Sequence, residues 1–447
     1  MVLLILAGVS INLVVGENGI ITKARDARDK TEQAKANEEA DLLGLQDELE
    51  IAIGEKEGPP AKVEEGNKAT SNSTIDGKHA SATNPIIPEG YIPIDTGTTS
   101  WGDGSSAPTE ENVNKGLVIT DSIDASGNSN GNEWVWVPVA DPSVMYETAS
   151  TPITLTGGTN SNGDGILELK INDNPVTVSK YTKTITITNN DSTTKTITRV
   201  LPNDKSSYRE PDVVVDSDGT SYDAVDTNRA TAGFTKTVGE TTTTMTLAEM
   251  ADMMKSEYET MIASIEKYHG FYIGRYELNV NGEEKTGETL RYKKWYELYA
   301  QCKAEKLAAS DKVMSRMIWG CQWDVTCNWI ANYGDKKNIS DSSTWGNYYG
   351  TSVKASDGTT EIKKSDKQQI LDTGITTFTR ANNIYDFAGN CEEWTQEANL
   401  TRSRASRGGS YAGSGIPASH RGNSLPTDAS YSGFRFSSRF NSATLRV

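Results

Sequence analysis

Cysteine is scarce in this chain: four thiols (Cys302, Cys321, Cys327 and Cys391) are spread over 447 residues. Disulfide-dense scaffolds are short, so no disulfide framework holds this fold. No Cys-x-x-Cys pair occurs, which argues against a structural zinc site. Cys321 and Cys327, six residues apart near the start of an expected helix, read as two buried thiols. Histidine is scarcer still. His79, His269 and His420 are scattered, and no His-Glu-x-x-His, Walker or dinucleotide fingerprint exists. Net positive charge is also lacking: Lys+Arg of 44 against Asp+Glu of 61 gives −17. Phosphate backbones and anionic membrane surfaces are repelled by such a balance, so nucleic acid is not an expected partner.

Among what is present, residues 1–15 form an apolar run broken only by Ser10 and Asn12. The run falls short of the roughly 20 residues that span a bilayer. It also lacks the basic start and small-residue cleavage site of a secretory signal. Residues 23–50 are polar and helix-favouring, with Leu42, Leu45 and Leu49 at helical spacing. Residues 54–85 are rich in Gly, Ser, Thr, Asn, Lys and Glu and read as a flexible linker.

From Ile86 the texture changes. Short strands are expected at residues 86–93 and 116–119, and the alternation in Glu133-Trp134-Val135-Trp136-Val137-Pro138-Val139 marks another. Residues 141–244 interrupt that pattern as a Thr-rich, β-rich insertion or a poorly ordered loop, with a hairpin expected from residues 183–188 and 194–198. Asn160-Ser161-Asn162-Gly163-Asp164-Gly165 imitates half an EF-hand loop, but Ile171 stands where a bidentate glutamate belongs. It reads as a turn between strands. Thr246 and Glu249 make a capping box ahead of a helix with Met250, Met254, Met261, Ile262 and Ile265 on its core face, stopped by Gly270. A strand at residues 271–277 and helices at 290–307 and 323–333 follow.

The C-terminal part carries the most specific signal. Asn383-Ile384-Tyr385-Asp386-Phe387-Ala388-Gly389-Asn390-Cys391-Glu392-Glu393-Trp394-Thr395 precedes Ser406-Arg407-Gly408-Gly409-Ser410 and then Gly433-Phe434-Arg435. This order resembles the end of the formylglycine-generating enzyme (sulfatase-modifying factor) family. That family's fold is an elaborated C-type lectin fold, and residues 86–140 and 245–440 resemble it more loosely. The family's enzymes carry two copper-binding cysteines between the second and third motifs. Here no cysteine follows Cys391, so the resemblance implies the scaffold without its copper chemistry. Residues 3–24 resemble prepilin-type segments of clostridial surface proteins. Those normally begin earlier, with a basic leader, so the expectation is either a start upstream of Met1, the favoured reading, or a truncated gene product.

The expected architecture is therefore α+β. A pilin-like anchor helix (1–53) and a linker (54–85) precede a formylglycine-generating-enzyme-like C-type lectin domain (86–447) with its β-rich insertion (141–244). Hard oxygen donors on the tight loop at 386–393 suit Ca²⁺. The resemblance implies a site made by the Asp386 and Glu393 side chains with carbonyls of Gly389 and Cys391. The alternative is that Asp386 caps a turn and Glu393 pairs with an arginine such as Arg435. Arg407 and Arg435 read as architectural, needing carboxylate partners where buried. Between them lies a Tyr-, Ser-, Gly- and Asn-rich stretch. There Tyr411, Ser414, Ser419, His420, Asn423, Thr427, Asp428 and Tyr431 form either an adaptable recognition surface or an ordinary solvated loop. Tyr411, His420 and Tyr431 are expected to face solvent.

The expected function is a non-enzymatic, surface-displayed receptor for an extracellular protein or glycan. The resemblances imply a pilin-like anchor, with assembly through residues 1–53, on the outside of a Gram-positive bacterium. A formylglycine-forming oxidase is the disfavoured rival, together with an iron-dependent relative that would need paired histidines. A receptor diversified by a retroelement, with its variable segment at 405–436, is the other.

Overall fold

The computed structural model describes residues 63–70, 80–145, 154–159, 165–171, 174–178, 182–188, 194–200, 208–215, 221–304, 313–399, 402–428 and 438–439. All belong to one compact unit, Ala61–Val447. The expected pilin-like helix of residues 1–53 lies outside the described residues. Among these, no helix is long and apolar enough to cross a membrane.

In chain order, β1 (Ile92–Ile94), helix α1 (Glu110–Lys115), β2 (Val118–Thr120) and β3 (Glu133–Pro138) come first. The strands β4 (Thr154–Thr159), β5 (Gly165–Ile171) and β6 (Asn174–Val178) form an antiparallel meander, and β7 (Thr182–Thr188) with β8 (Thr194–Val200) a hairpin. Next come β9 (Tyr208–Arg209), α2 (Asp226–Thr231) and the hairpin β10 (Thr235–Val238) to β11 (Thr241–Thr244). The long helix α3 (Leu247–Tyr268) leads into β12 (Gly270–Gly274), followed by α4 (Trp295–Ala304) and α5 (Gly320–Asn332). Two short antiparallel pairs follow, β13 (Val353–Lys354) with β14 (Glu361–Lys363), and β15 (Arg380–Ala381) with β16 (Ile384–Tyr385). The last described strands are β17 (Glu392–Asn399), β18 (Arg404–Arg407) and β19 (Ser438–Arg439). The architecture is mixed α and β, with small, mainly antiparallel sheets and few helices.

The sheet β1-β2-β3-β12 is antiparallel throughout. Successive side chains of a strand face opposite ways. In β3, Val135 and Val137 enter one core with Ile262, Ile265, Phe271, Trp319 and Trp323. Trp134 and Trp136 enter another with Tyr91, Ile119 and Tyr272. Both residue sets are large and apolar, so both faces are covered and the alternation does not mark a solvent side.

What covers the tryptophan face corrects the expected linker. Val63, Ala69 and Ala80 are buried in this second core. The Gly66 N–H donates to the Pro93 carbonyl (2.7 Å) and the Ala69 N–H to the Tyr91 carbonyl (2.8 Å). The Trp136 indole donates to the Ala82 carbonyl at 3.1 Å. Single apolar residues among polar ones show no periodicity, yet three of them suffice where a tryptophan face supplies the partner.

The insertion is corrected at its downstream end. The β7–β8 hairpin is as expected, with Ile185 opposite Ile197. Strands β4 and β5 are antiparallel neighbours, as a turn between them requires, while residues 160–164 lie outside the described residues. Parts of 208–215 and 221–244, however, belong to the core region. The strand β9 pairs with β17, and Phe234 is buried with Met250, Met254, Trp295 and Trp394 in a third core.

Helix boundaries moved where side-chain caps act. The capping box at α3 is present: Thr246 Oγ1 accepts the Glu249 N–H (3.3 Å) while the Glu249 carboxylate accepts the Thr246 N–H (2.8 Å). The helix closes at His269, in the left-handed region at φ 57°. Gly270 already belongs to β12, where a Cβ would stand 2.1 Å from the Trp136 ring. Helix α4 starts at Trp295 rather than Leu290, because Tyr292 takes φ 62° and the Lys294 N–H donates to the Glu297 carboxylate (2.8 Å).

Candidate functional site

The segment 382–391 is a junction rather than an exposed loop. Asn382, Asn383, Asp386 and Asn390 all adopt positive φ, a region that asparagine and aspartate enter more readily than other side chains. The turns aim their side chains into neighbouring loops. Asn383 Nδ2 donates to the Gly116 carbonyl (2.7 Å) and to Thr99 Oγ1 (3.1 Å). Asn390 Nδ2 donates to Glu277 Oε2 (2.6 Å), and Asn390 Oδ1 accepts from the Leu371 N–H (3.0 Å) and from Asn347 Nδ2 (2.9 Å).

Asp386 belongs to the same junction. Its Oδ2 accepts the Gly374 N–H (2.9 Å) and the Thr373 hydroxyl (3.2 Å). Burial pushes its carboxyl up to about 6 against those hydrogen bonds. Glu393 is buried on β17, with Arg407 and Arg439 as its neighbours in register on β18 and β19. The Gly389 N–H donates to the Gly408 carbonyl (2.8 Å), and Cys391 is a buried free thiol. Among the described residues no three His, Cys, Asp or Glu side chains gather to hold a metal ion. Asp386 thus accepts hydrogen bonds from the Thr373–Gly374 turn, and Arg435 lies outside the described residues.

The expected recognition stretch divides into three places. Ser419 is buried, with its N–H donated to the Ile339 carbonyl at 3.3 Å, and His420 lies beside Arg407 and Arg421. Burial and those two cations hold the imidazole down at about 4. Asn423 is exposed and its Oδ1 accepts the Ser403 hydroxyl (2.6 Å). The third place includes Tyr411, which is buried rather than solvent-facing, a correction to the expectation. The Tyr411 N–H donates to the Asn390 carbonyl (2.9 Å), and Tyr292 is its neighbour on the outside. Ser414 is exposed, Thr427 and Asp428 are half-buried, and Tyr431 lies outside the described residues.

Sequence reasoning missed the segment that joins these pieces. Tyr292 is 44% exposed at the mouth of Tyr411, and its ring carries the Arg291 guanidinium 5.3 Å from its centroid. Three residues on, the Trp295 N–H donates to the Pro426 carbonyl (3.1 Å), which brings the 426–428 turn alongside. The signal was available: Arg291-Tyr292-Lys293-Lys294 is a cationic run in a chain of net charge −17.

Arg407 has the carboxylate partners that its burial demands. It reaches Asp324 on α5 and stands 3.8 Å from Glu397, while Arg421 bonds Glu397 and Asp324 at 2.9 Å each. Glu397 and Glu210 converge at the start of α5, where a Cβ on Gly320 would lie 2.2 and 2.3 Å from their oxygens. The Cys321 N–H donates to Glu210 Oε1 (3.1 Å). Burial and the Glu210 charge push the Cys321 thiol well up, and burial does the same to Cys327. A thiol held protonated is a poor nucleophile and a poor metal ligand.

Between α3 and α5 a cavity of about 30 Å³, lined by Glu257, Met261, Phe271, Arg316 and Gln322, has room for one or two waters. No protein-family model, no curated protein and no solved structure matches this chain.

Proposed function

We propose that this chain is a non-enzymatic, surface-displayed ligand-binding protein. In this reading its head is a formylglycine-generating-enzyme-like scaffold of C-type lectin type, carried outside the cell on a pilin-like anchor. The observation that carries the binding role is the exposed Tyr292 ring beside Tyr411, whose N–H is bonded to Asn390 of the 382–391 junction. There an exposed aromatic ring, a guanidinium and small polar groups share one face. Rigid aromatic anchors ringed by adaptable hydrogen-bonding groups are what recognition surfaces are built from. A calcium ion at Asp386, Gly389, Cys391 and Glu393 is a proposal carried by the sequence resemblance alone.

The test is binding of the full chain to immobilised extracellular proteins and polysaccharides, with Tyr292→Ala as the comparison. Loss of the captured ligand at an unchanged melting temperature is expected. Turnover of a cysteine-containing sulfatase peptide above a protein-free blank, with copper supplied, would replace this reading with the oxidase one.

A further inference from the structure

Resting on that binding reading, we infer that the Tyr292 face takes an acidic polysaccharide, a polymer of sugar rings bearing carboxylates. Three observations converge on that class.

The first is charge. Among the described residues neither Arg291 nor Lys294 enters an ion pair with the acids three residues away, Glu288 and Glu297, or with Asp428 of the adjoining turn, and Glu297 is engaged by the Lys294 N–H. Charges farther off than about 8 Å are largely screened at physiological salt, so the chain's overall −17 does not cancel a local cationic face.

The second is the ring. Tyr292 is 44% exposed, its backbone sits at φ 62° and the Arg291 guanidinium lies 5.3 Å from its ring centroid. Its orientation is therefore constrained by the backbone turn and by the guanidinium before any ligand arrives. A pre-set flat aromatic face beside hydrogen-bonding groups matches a sugar ring, which has an apolar C–H face and a hydroxyl edge. The ordering cost of binding is lowered accordingly.

The third is the backbone. Residues 291–294, 411–415 and 425–428 form turns and bends, not a strand edge. An extended acidic peptide recognised by strand addition would need a free main-chain ladder. This face offers side chains instead, which favours the polysaccharide over the peptide.

The experiment uses the full chain against three immobilised carboxylated polymers: polygalacturonate, alginate and hyaluronate. Methyl-esterified polygalacturonate supplies the rings without charge, and polyglutamate the charge without rings. Retention is expected on at least one acidic polysaccharide, weaker on both controls and declining with added salt. The R291A/K294A double variant should lose about tenfold in affinity with its melting temperature unchanged. Tyr292→Phe should bind nearly as the wild type and Tyr292→Ala should not. Failure on all three polymers, or equal retention on polyglutamate, overturns the inference. Equal retention on the methyl ester overturns the anionic class but leaves the face as a binding site. Binding that no substitution on this face alters removes the proposed site itself.

Discussion

Single side chains make the pH response of this protein legible, because one buried and one half-buried group titrate in opposite senses. Glu392 is buried beside Ser406, and burial pushes its carboxyl up to about 8 from 4.5. The folded state therefore holds a proton that the unfolded state has released. The stability this contributes is present below pH 4.5 and is lost as pH rises through about 8. Glu392→Gln should flatten the loss of melting temperature across that window. An unchanged slope would show that the group is ionised in the fold. His420 works the other way. Its pKa falls from 6.5 to about 4, so the unfolded chain takes up the proton first and stability is lost as pH drops through that interval. His420→Asn should remove the acid-side slope in urea titrations and leave the alkaline side alone.

Elements are joined here by buried ion pairs more than by long strands. Arg404 on β18 meets Asp223, both fully buried, and its guanidinium lies 4.0 Å from the centroid of Trp295 on α4. One contact thus ties the 208–231 region to the C-terminal sheet and a helix. Removing one partner leaves the other charge uncompensated, and Asp223→Ala should cost about 3–5 kcal/mol in urea denaturation. A loss below about 1 kcal/mol, the scale of a surface pair, would mean that water reaches this site. Gly270 makes a second junction between elements. A Cβ there meets the Trp136 ring, so Gly270→Ala should cost about 1–3 kcal/mol through overpacking of β3 against β12.

At the scale of the whole molecule, the working boundary lies upstream of where the change in composition at Ile86 places it. A chain starting at Ala61 keeps Val63, Ala69 and Ala80 in the second core and covers Tyr91 and Trp136. One starting at Ile86 uncovers that face, and should unfold at a lower temperature and expose apolar surface to a hydrophobic dye. Coincident melting curves would show the added segment to be an ornament.

Local patterns determined whatever depends on nearest neighbours. The capping box at Thr246, the Met250–Met254–Met261 face, the β3 alternation and the Thr-rich hairpin all rest on contacts within a few residues, and each is read directly. The need of Arg407 for carboxylates was equally legible from its expected burial, though not that Asp324 and Glu397 would supply them. Long-range partners were decided by the tertiary structure alone. The Asp386 carboxylate sits on the Thr373–Gly374 turn, Tyr411 turns inward onto Tyr292, and residues 63–70 lie against Tyr91 and Pro93. These contacts join segments up to more than a hundred residues apart, and no local periodicity encodes them. Turn residues specify where a chain bends, whereas the surface it meets after bending depends on how the sheets and helices have already closed.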